Sequence, residues 1–142
     1  MKFSYFKFPL TQRSEFFGTI ILKPIIPITI VSGSQNTTYA ALIDSGADFC
    51  IFDGEIGEHL GLNVRSGYKE IFGGVQEKGS AEAFFHEVTI MVGGWDYKIP
   101  VGFSYDIAKY GYGILGQKGF FDKFAVRFDL LKEEIELTPK RI

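Results

Sequence analysis

The chain contains a single cysteine and only two histidines, which narrows the chemistry that it can carry out. Cys50 is alone among 142 residues, so no intramolecular disulfide can form. Its neighbours Phe49 and Ile51 predict a buried, unreactive thiol. His59 and His86 lie 27 positions apart without cysteine or carboxylate partners at ligand spacing. No metal site and no cofactor are therefore predicted, and without a Gly-x-Ser-x-Gly elbow serine catalysis has no support.

The chain also lacks a large net charge and long hydrophobic runs. The net charge is −2 and the basic residues are spread along the chain, so nucleic acid is not an expected partner. The longest apolar stretch, Ile25–Val31, contains Pro27 and is too short to span a membrane. Lys7 interrupts the N-terminal residues before an apolar segment of signal-peptide length develops. These features predict a soluble cytoplasmic protein with no membrane partner.

The distribution of β-branched and aromatic residues predicts one mostly-β domain. With 46% hydrophobic residues the chain can bury a core without disulfide or metal cross-links. Dense or alternating apolar runs predict strands at 19–22, 25–31, 39–43, 68–72, 83–92, 95–103, 112–116, 124–128 and 134–137. Two short helices are predicted, one after an Asp53 cap and ending at Gly61, the other at 117–123. Residues 1–18 are interpreted as an N-terminal arm or a first edge strand, and 19–142 as the domain.

The most informative motif is Ala41-Leu42-Ile43-Asp44-Ser45-Gly46-Ala47-Asp48, in which an apolar run ends at a carboxylate. An acid at the end of a buried strand is partly removed from water, which favours its protonated form. The glycine permits a tight turn or the close approach of another group. The motif suits acid–base chemistry by a carboxyl group, and no second Asp-Ser-Gly or Asp-Thr-Gly occurs in the chain. Taken alone, it is also an ordinary strand-ending turn.

Two further motifs follow in order: the loop Phe72-Gly73-Gly74-Val75 between two strands, and Ile114-Leu115-Gly116. Together with the acidic motif, they resemble the retropepsin family, the retroviral-type aspartic proteases and their cellular relatives. The resemblance covers residues 19–128. It implies a closed, mostly antiparallel β-barrel of the acid-protease type. Taken singly, the loop also fits any surface hairpin, and the last motif fits a plain core strand.

The resemblance also implies a homodimeric aspartic endopeptidase that acts on peptides. Asp44 would be one half of a catalytic pair and would need its copy from a second chain. Ser45 and Gly46 would support the active site, with the Ser45 hydroxyl bonding across the dimer axis. The residues that would contact the substrate are Ala47, Asp48, Phe72, Gly73, Gly74, Val75 and Ile114. Asp48 has an equally good reading as a solvated turn acid.

The chain departs from the viral proteases at its ends and in its loop. A long N-terminal segment and a predicted hairpin at 124–137 stand where viral members interleave their chain ends, so the dimer contact is expected to be built differently. The loop carries the polar Gln76-Glu77-Lys78, where viral tips are largely glycine and apolar. An alternative function is therefore a dimeric scaffold of the same fold that binds peptides or proteins with little turnover.

Overall fold

The computed structural model describes residues 1–73 and 80–140, which form twelve strands and three short helical segments. The strands are β1 (Lys2–Ser4), β2 (Phe6–Ser14), β3 (Gly18–Lys23), β4 (Ile25–Ser32), β5 (Gln35–Ile43), β6 (Ile51–Asp53), β7 (Tyr68–Phe72), β8 (Ala81–Val92), β9 (Trp95–Ser104), β10 (Gly113–Leu115), β11 (Phe124–Asp129) and β12 (Glu134–Pro139). The helical segments are α1 (Gly54–His59) and the 3₁₀ helices Val64–Ser66 and Tyr105–Tyr110. The predicted mostly-β class is confirmed.

Six strands close into a barrel. They pair in the order β4, β5, β10, β6, β9, β8, and β8 pairs back onto β4, where Ile30 lies opposite Ile90. The β5–β10 and β6–β9 pairs are parallel and the others are antiparallel. Along β4, Ile26, Ile28 and Ile30 are buried while Pro27 is exposed, which is the period of two that a barrel wall requires. The predicted closed barrel is confirmed.

Local signals in the sequence correspond to the turns that join the strands. Gly93 and Gly94 connect β8 to β9 with φ values of 53° and 88°, so this hairpin requires two residues that tolerate positive φ. The Asp53 carboxylate accepts the Glu55 backbone N–H at 3.0 Å and caps α1 as predicted. Pro27 faces only β5, because the pairing of β4 with β8 begins at Thr29. The proline therefore lies at an edge position, which suits a residue that has no N–H to donate.

The predicted helix at 117–123 is wrong, because this segment forms hydrogen-bonded turns. Gly119 has a φ of 107°, which no helical residue adopts. The Gly119 N–H donates to the Asp122 carboxylate at 2.9 Å, and the Lys123 N–H donates to the Phe120 carbonyl at 2.9 Å. These turns direct Phe120 into the core, where it is fully buried. Tertiary packing of this aromatic ring outweighs the helical pattern of its neighbours.

Two small sheets lie outside the barrel. β1 pairs with β12, which also pairs with β11, and β2 and β3 form a separate hairpin. The predicted hairpin of β11 and β12 is confirmed. Residues 1–18 include β1, an edge strand, and β2, whose hairpin with β3 spans position 18. The division of the chain at residue 18 stays a prediction.

Candidate active site

Asp44 lies at the end of β5, where the chain leaves the barrel wall. Its backbone N–H donates to the Leu115 carbonyl of β10 at 2.9 Å, so the residue is fixed to the neighbouring strand. Its half-buried carboxylate accepts the Gly46 N–H through Oδ1 at 2.9 Å, and its carbonyl accepts the Ala47 N–H at 3.1 Å. Ser45 and Gly46 are exposed. The turn thus presents one oriented carboxylate at the surface of the barrel.

The segment that follows β10 braces this turn from the other side. The Gln117 side-chain amide donates to the Ser45 carbonyl at 2.8 Å, and the Gln117 backbone N–H donates to the Ala47 carbonyl at 2.8 Å. The Lys118 N–H donates to the Asp48 carbonyl at 3.0 Å. These bonds hold the carbonyls of Ser45, Ala47 and Asp48 in fixed positions relative to β10. This bracing fixes where the Asp44 carboxylate points.

Gly116 allows the two segments to approach each other. A Cβ atom on Gly116 would collide with the Phe49 carbonyl oxygen and would lie 2.8 Å from the Ala47 carbonyl oxygen. This glycine, the last residue of the motif Ile114-Leu115-Gly116, therefore packs against the backbone of residues 44–49, which follow β5 and are called the acidic loop.

Three of the predicted substrate contacts line a common cleft. Phe72, Gly73 and Ile114 border a cavity of about 310 Å³, together with Asp106 and Tyr110 of the second 3₁₀ helix. The Asp106 carboxylate accepts the Glu82 N–H at 3.0 Å, which attaches that helix to the start of β8.

The other predicted contacts lie elsewhere. Ala47 is half-buried in the acidic loop, and Asp48 is exposed and lines a second cleft of about 310 Å³ beside Phe49. The Phe49 and Phe72 rings meet edge to face with centroids 5.7 Å apart, so they form the boundary between the two clefts. Gly74 and Val75, the remaining predicted contacts, lie outside the described residues.

Cys50 lies directly behind the acidic loop. Its side chain is fully buried, and its thiol donates to the Lys118 carbonyl at 3.7 Å. Burial raises the pKa of the Cys50 thiol to about 12. The thiol is therefore protonated at neutral pH, as expected of the unreactive cysteine that its neighbours predicted.

Sequence reasoning missed Gln117, because nothing in a single sequence distinguishes a bracing glutamine from a surface one. It also missed Asp106 and Tyr110, which reach the cleft only through the fold. Within residues 1–73 and 80–140, no three His, Cys, Asp or Glu side chains come together as a metal site would require. No helix in that part of the chain is long and apolar enough to cross a membrane.

The closed six-stranded barrel has the fold of the retropepsin-like aspartic proteases, as the resemblance implied. A retropepsin-like aspartic protease from Rickettsia conorii is similar to this chain with a TM-score of 0.63 and 15% identity, over 96% of this chain and 89% of that one. EIAV protease in complex with an inhibitor has a TM-score of 0.48 and 24% identity, over 67% of this chain and 82% of that one. No protein-family profile and no curated protein sequence matches the chain.

Proposed function

We propose that this chain is a homodimeric aspartic endopeptidase in which the Asp44 carboxylates of two copies form the catalytic pair. The observation that carries the proposal is the braced turn at the end of β5, which orients one carboxylate at the surface of a retropepsin-like barrel. A carboxylate that only ended a strand would need no such bracing from a distant segment.

The count of acids motivates the second copy. Each chain supplies one Asp-Ser-Gly motif, whereas general acid–base catalysis by carboxyl groups requires one protonated and one ionised member. Two carboxyl groups at close range meet this requirement, because mutual repulsion makes them share a proton. A twofold axis beside Asp44 would bring the residue next to its own copy. The exposed Ser45 would bond across that axis through its hydroxyl.

In the proposed reaction the ionised member of the pair removes a proton from a water molecule, and this water attacks the scissile carbonyl carbon. The protonated member donates its proton to the carbonyl oxygen, giving a neutral tetrahedral diol. The carboxyl group that now holds the proton then gives it to the amide nitrogen, while the other carboxylate accepts the proton of a diol hydroxyl. The C–N bond breaks to release an amine and a carboxylic acid, and the pair is again singly protonated. The peptide forms no covalent bond to the enzyme.

The cleft bordered by Phe72, Gly73 and Ile114 is the proposed place for the peptide. Its apolar wall at Phe72 and Ile114 suits hydrophobic side chains, and its rim is backbone at Gly73 that an extended peptide can pair with. Ala47 and Asp48 would contact the peptide backbone from the loop. Gly74 and Val75 are proposed to cover it.

The decisive experiment replaces Asp44 by asparagine. Asp44→Asn keeps the size of the side chain but cannot exchange a proton in the same way, so peptide cleavage should fall by roughly 10³-fold or more. The wild-type and variant proteins are incubated with a denatured protein mixture over a range of pH, and the fragments are counted by mass spectrometry. A statine-type inhibitor, which mimics the tetrahedral diol, should block the wild-type cleavage.

Asp96→Asn is the matched control, because Asp96 is exposed at the start of β9 and far from β5 in the sheet order. It should cleave at the wild-type rate. Equal cleavage by a pure Asp44→Asn preparation would show that Asp44 is not the catalytic acid. A wild-type protein that binds peptides and leaves them intact at every pH would favour the scaffold alternative.

A further inference from the structure

Two turns outside the barrel expose large apolar side chains. Ordered turns at a protein surface ordinarily carry polar side chains instead. The turn between β2 and β3 carries Phe16, 87% exposed, and Phe17, 52% exposed. The turn between β11 and β12 carries Leu130, 60% exposed, and Leu131, 95% exposed. These four residues and the exposed Ile20 form a set of five that is called the hairpin patch.

Local hydrogen bonds hold both turns in shape. The Ser14 hydroxyl accepts the backbone N–H groups of Phe16 and Phe17 at 3.1 and 3.0 Å. In the other turn, the Asp129 carboxylate accepts the Lys132 N–H at 3.1 Å. The apolar side chains are thus presented by ordered backbone, so binding a partner would cost little conformational entropy.

The two turns form one continuous surface. Phe16, Phe17, Ile20 and Leu130 line the same groove of about 370 Å³. From the exposed fractions of whole residues, the hairpin patch offers on the order of 600 Å² of surface. This is at the upper end of the roughly 300–600 Å² of the largest apolar patch on a typical monomer, and it approaches the roughly 800 Å² that each partner contributes to a standard interface. A surface of this size points to a partner protein.

We infer that the hairpin patch binds the hairpin patch of a second copy of this chain and so forms the twofold contact of the dimer. The inference rests on the proposed function, which requires two Asp44 side chains on one axis. β3 connects the two places: Pro24, directly after β3, accepts the Ile43 N–H at 2.9 Å beside Asp44. The six residues of β3 extend about 20 Å from there to the patch. A twofold axis parallel to β3 would therefore pass both the acidic turns and the patches.

The charges around the hairpin patch also favour a second copy over a lipid surface. Arg13 precedes one turn and Glu15 lies in it, while Lys132 and Glu133 lie in the other. An anionic membrane would favour an excess of lysine and arginine around an apolar patch. A rim with both signs can instead pair with itself across a twofold axis, since each residue of an isologous contact meets a different residue of the partner.

The test is the double variant Phe16→Glu with Leu131→Glu, compared with wild type by sedimentation over a range of concentrations. Two buried carboxylates per chain would be desolvated and would repel their copies, so the dimer dissociation constant should rise at least ~100-fold. The variant should stay folded, because both positions are exposed, and circular dichroism checks this. Phe16→Ser with Leu131→Ser repeats the test without new charge. Met91→Glu with Trp95→Glu changes two exposed side chains of the barrel as a control and should leave the constant unchanged.

Cleavage of a peptide is measured in the same samples, which separates this inference from the proposed function. If wild type and both patch variants are equally dimeric, the inference is overturned, while Asp44-dependent cleavage still decides the function. A wild type that is monomeric at all concentrations, or a control variant that dissociates as far as the patch variant, also overturns it. Flotation of a monomeric wild type with phosphatidylcholine and phosphatidylserine vesicles would assign the patch to a membrane instead.

Discussion

The acidic turn at Asp44 and the hairpin patch both present exposed groups on ordered turns, but the two regions are held in place by different kinds of contact. The turn at Asp44 is braced over a long distance in sequence, because Gln117, which lies 72 residues after Ser45 in the turns that follow β10, donates to the Ser45 carbonyl. The turn at Phe16 is held locally, by two bonds to the Ser14 hydroxyl and by the pairing of Ser14 with Gly18. At the acidic turn the exposed groups are polar, whereas at the hairpin patch they are apolar.

The difference indicates what each region requires. The proposed catalytic role would require the Asp44 carboxylate to be held to a fraction of an ångström, and attachment of its turn to the rigid barrel would provide this. A binding surface gains affinity from buried apolar area, and local order is enough to present it. Changes that loosen the brace should therefore damage stability and catalysis together, while changes in the hairpin patch should alter assembly with little effect on folding.

The strongest way to break the brace is Gly116→Ala. Its Cβ would collide with the Phe49 carbonyl, and backbone on both sides leaves little room to shift. We expect the free energy of unfolding to fall by about 3 kcal/mol or more, measured by urea denaturation. Gly33→Ala is the control: Gly33 has open space around it but a φ of 58°, so its cost should be only about 1 kcal/mol. Equal losses in the two variants would show that the close approach at Gly116 is not important.

The wall of the barrel could be predicted from the sequence because its signals are local. β-branched residues alternate along β4, and a Gly-Gly pair marks the β8–β9 turn. The resemblance implied a closed barrel, but the residues alone do not show that β4 pairs with β8 or that β1 pairs with β12, because these strands lie far apart in the chain. The helix predicted at 117–123 failed for the same reason: burial of Phe120 decided its conformation.

A smaller effect on the free energy of unfolding is expected from the thiol of Cys50, next to the acidic turn. Burial raises the pKa of Cys50 from 9.0 to about 12. Between these values the unfolded chain loses the thiol proton while the folded chain keeps it, so stability is full below pH 9 and falls as the pH rises towards 12. The slope from this group is at most about 1.4 kcal/mol per pH unit.

Cys50→Ala should therefore lower stability by the same amount at pH 7 and 8 but show a shallower loss than wild type above pH 9, measured by urea denaturation at each pH. Tyr39 remains in both proteins and contributes the same alkaline loss to each, since burial raises its pKa to about 12. Parallel curves for the two proteins would contradict a buried, protonated thiol at this position.

The candidate site was predictable only as far as its motif reaches. Asp44, Ser45 and Gly46 are adjacent in sequence, and turn chemistry already identifies them. Gln117 and Tyr110 join the site through the β5–β10 pairing and the second 3₁₀ helix, neither of which leaves a pattern in one sequence. Contacts within a few residues can be predicted from residue types, whereas contacts made by the fold require the fold.

The mildest test of the brace removes one hydrogen bond. Gln117→Ala loses the side-chain bond to the Ser45 carbonyl but keeps the backbone bond to Ala47, so stability should fall by only about 1 kcal/mol. Because the turn that carries Asp44 becomes less ordered, kcat for peptide cleavage should fall roughly tenfold with KM nearly unchanged. Hydrogen exchange at the Gly46 amide, which reports the bond to Asp44, should become faster.

Gln117→Lys keeps an N–H donor and should recover part of kcat, whereas Gln117→Glu cannot donate and should resemble the alanine variant. Lys118→Ala is the neighbouring control, since Lys118 contributes to the brace through its backbone N–H and should retain slow exchange at Gly46. If Gln117→Ala changes KM alone, or leaves exchange at Gly46 unaltered while kcat falls, then Gln117 does not act by positioning Asp44. In that case the backbone bonds from Gln117 and Lys118, together with the close approach at Gly116, would be sufficient to orient the carboxylate.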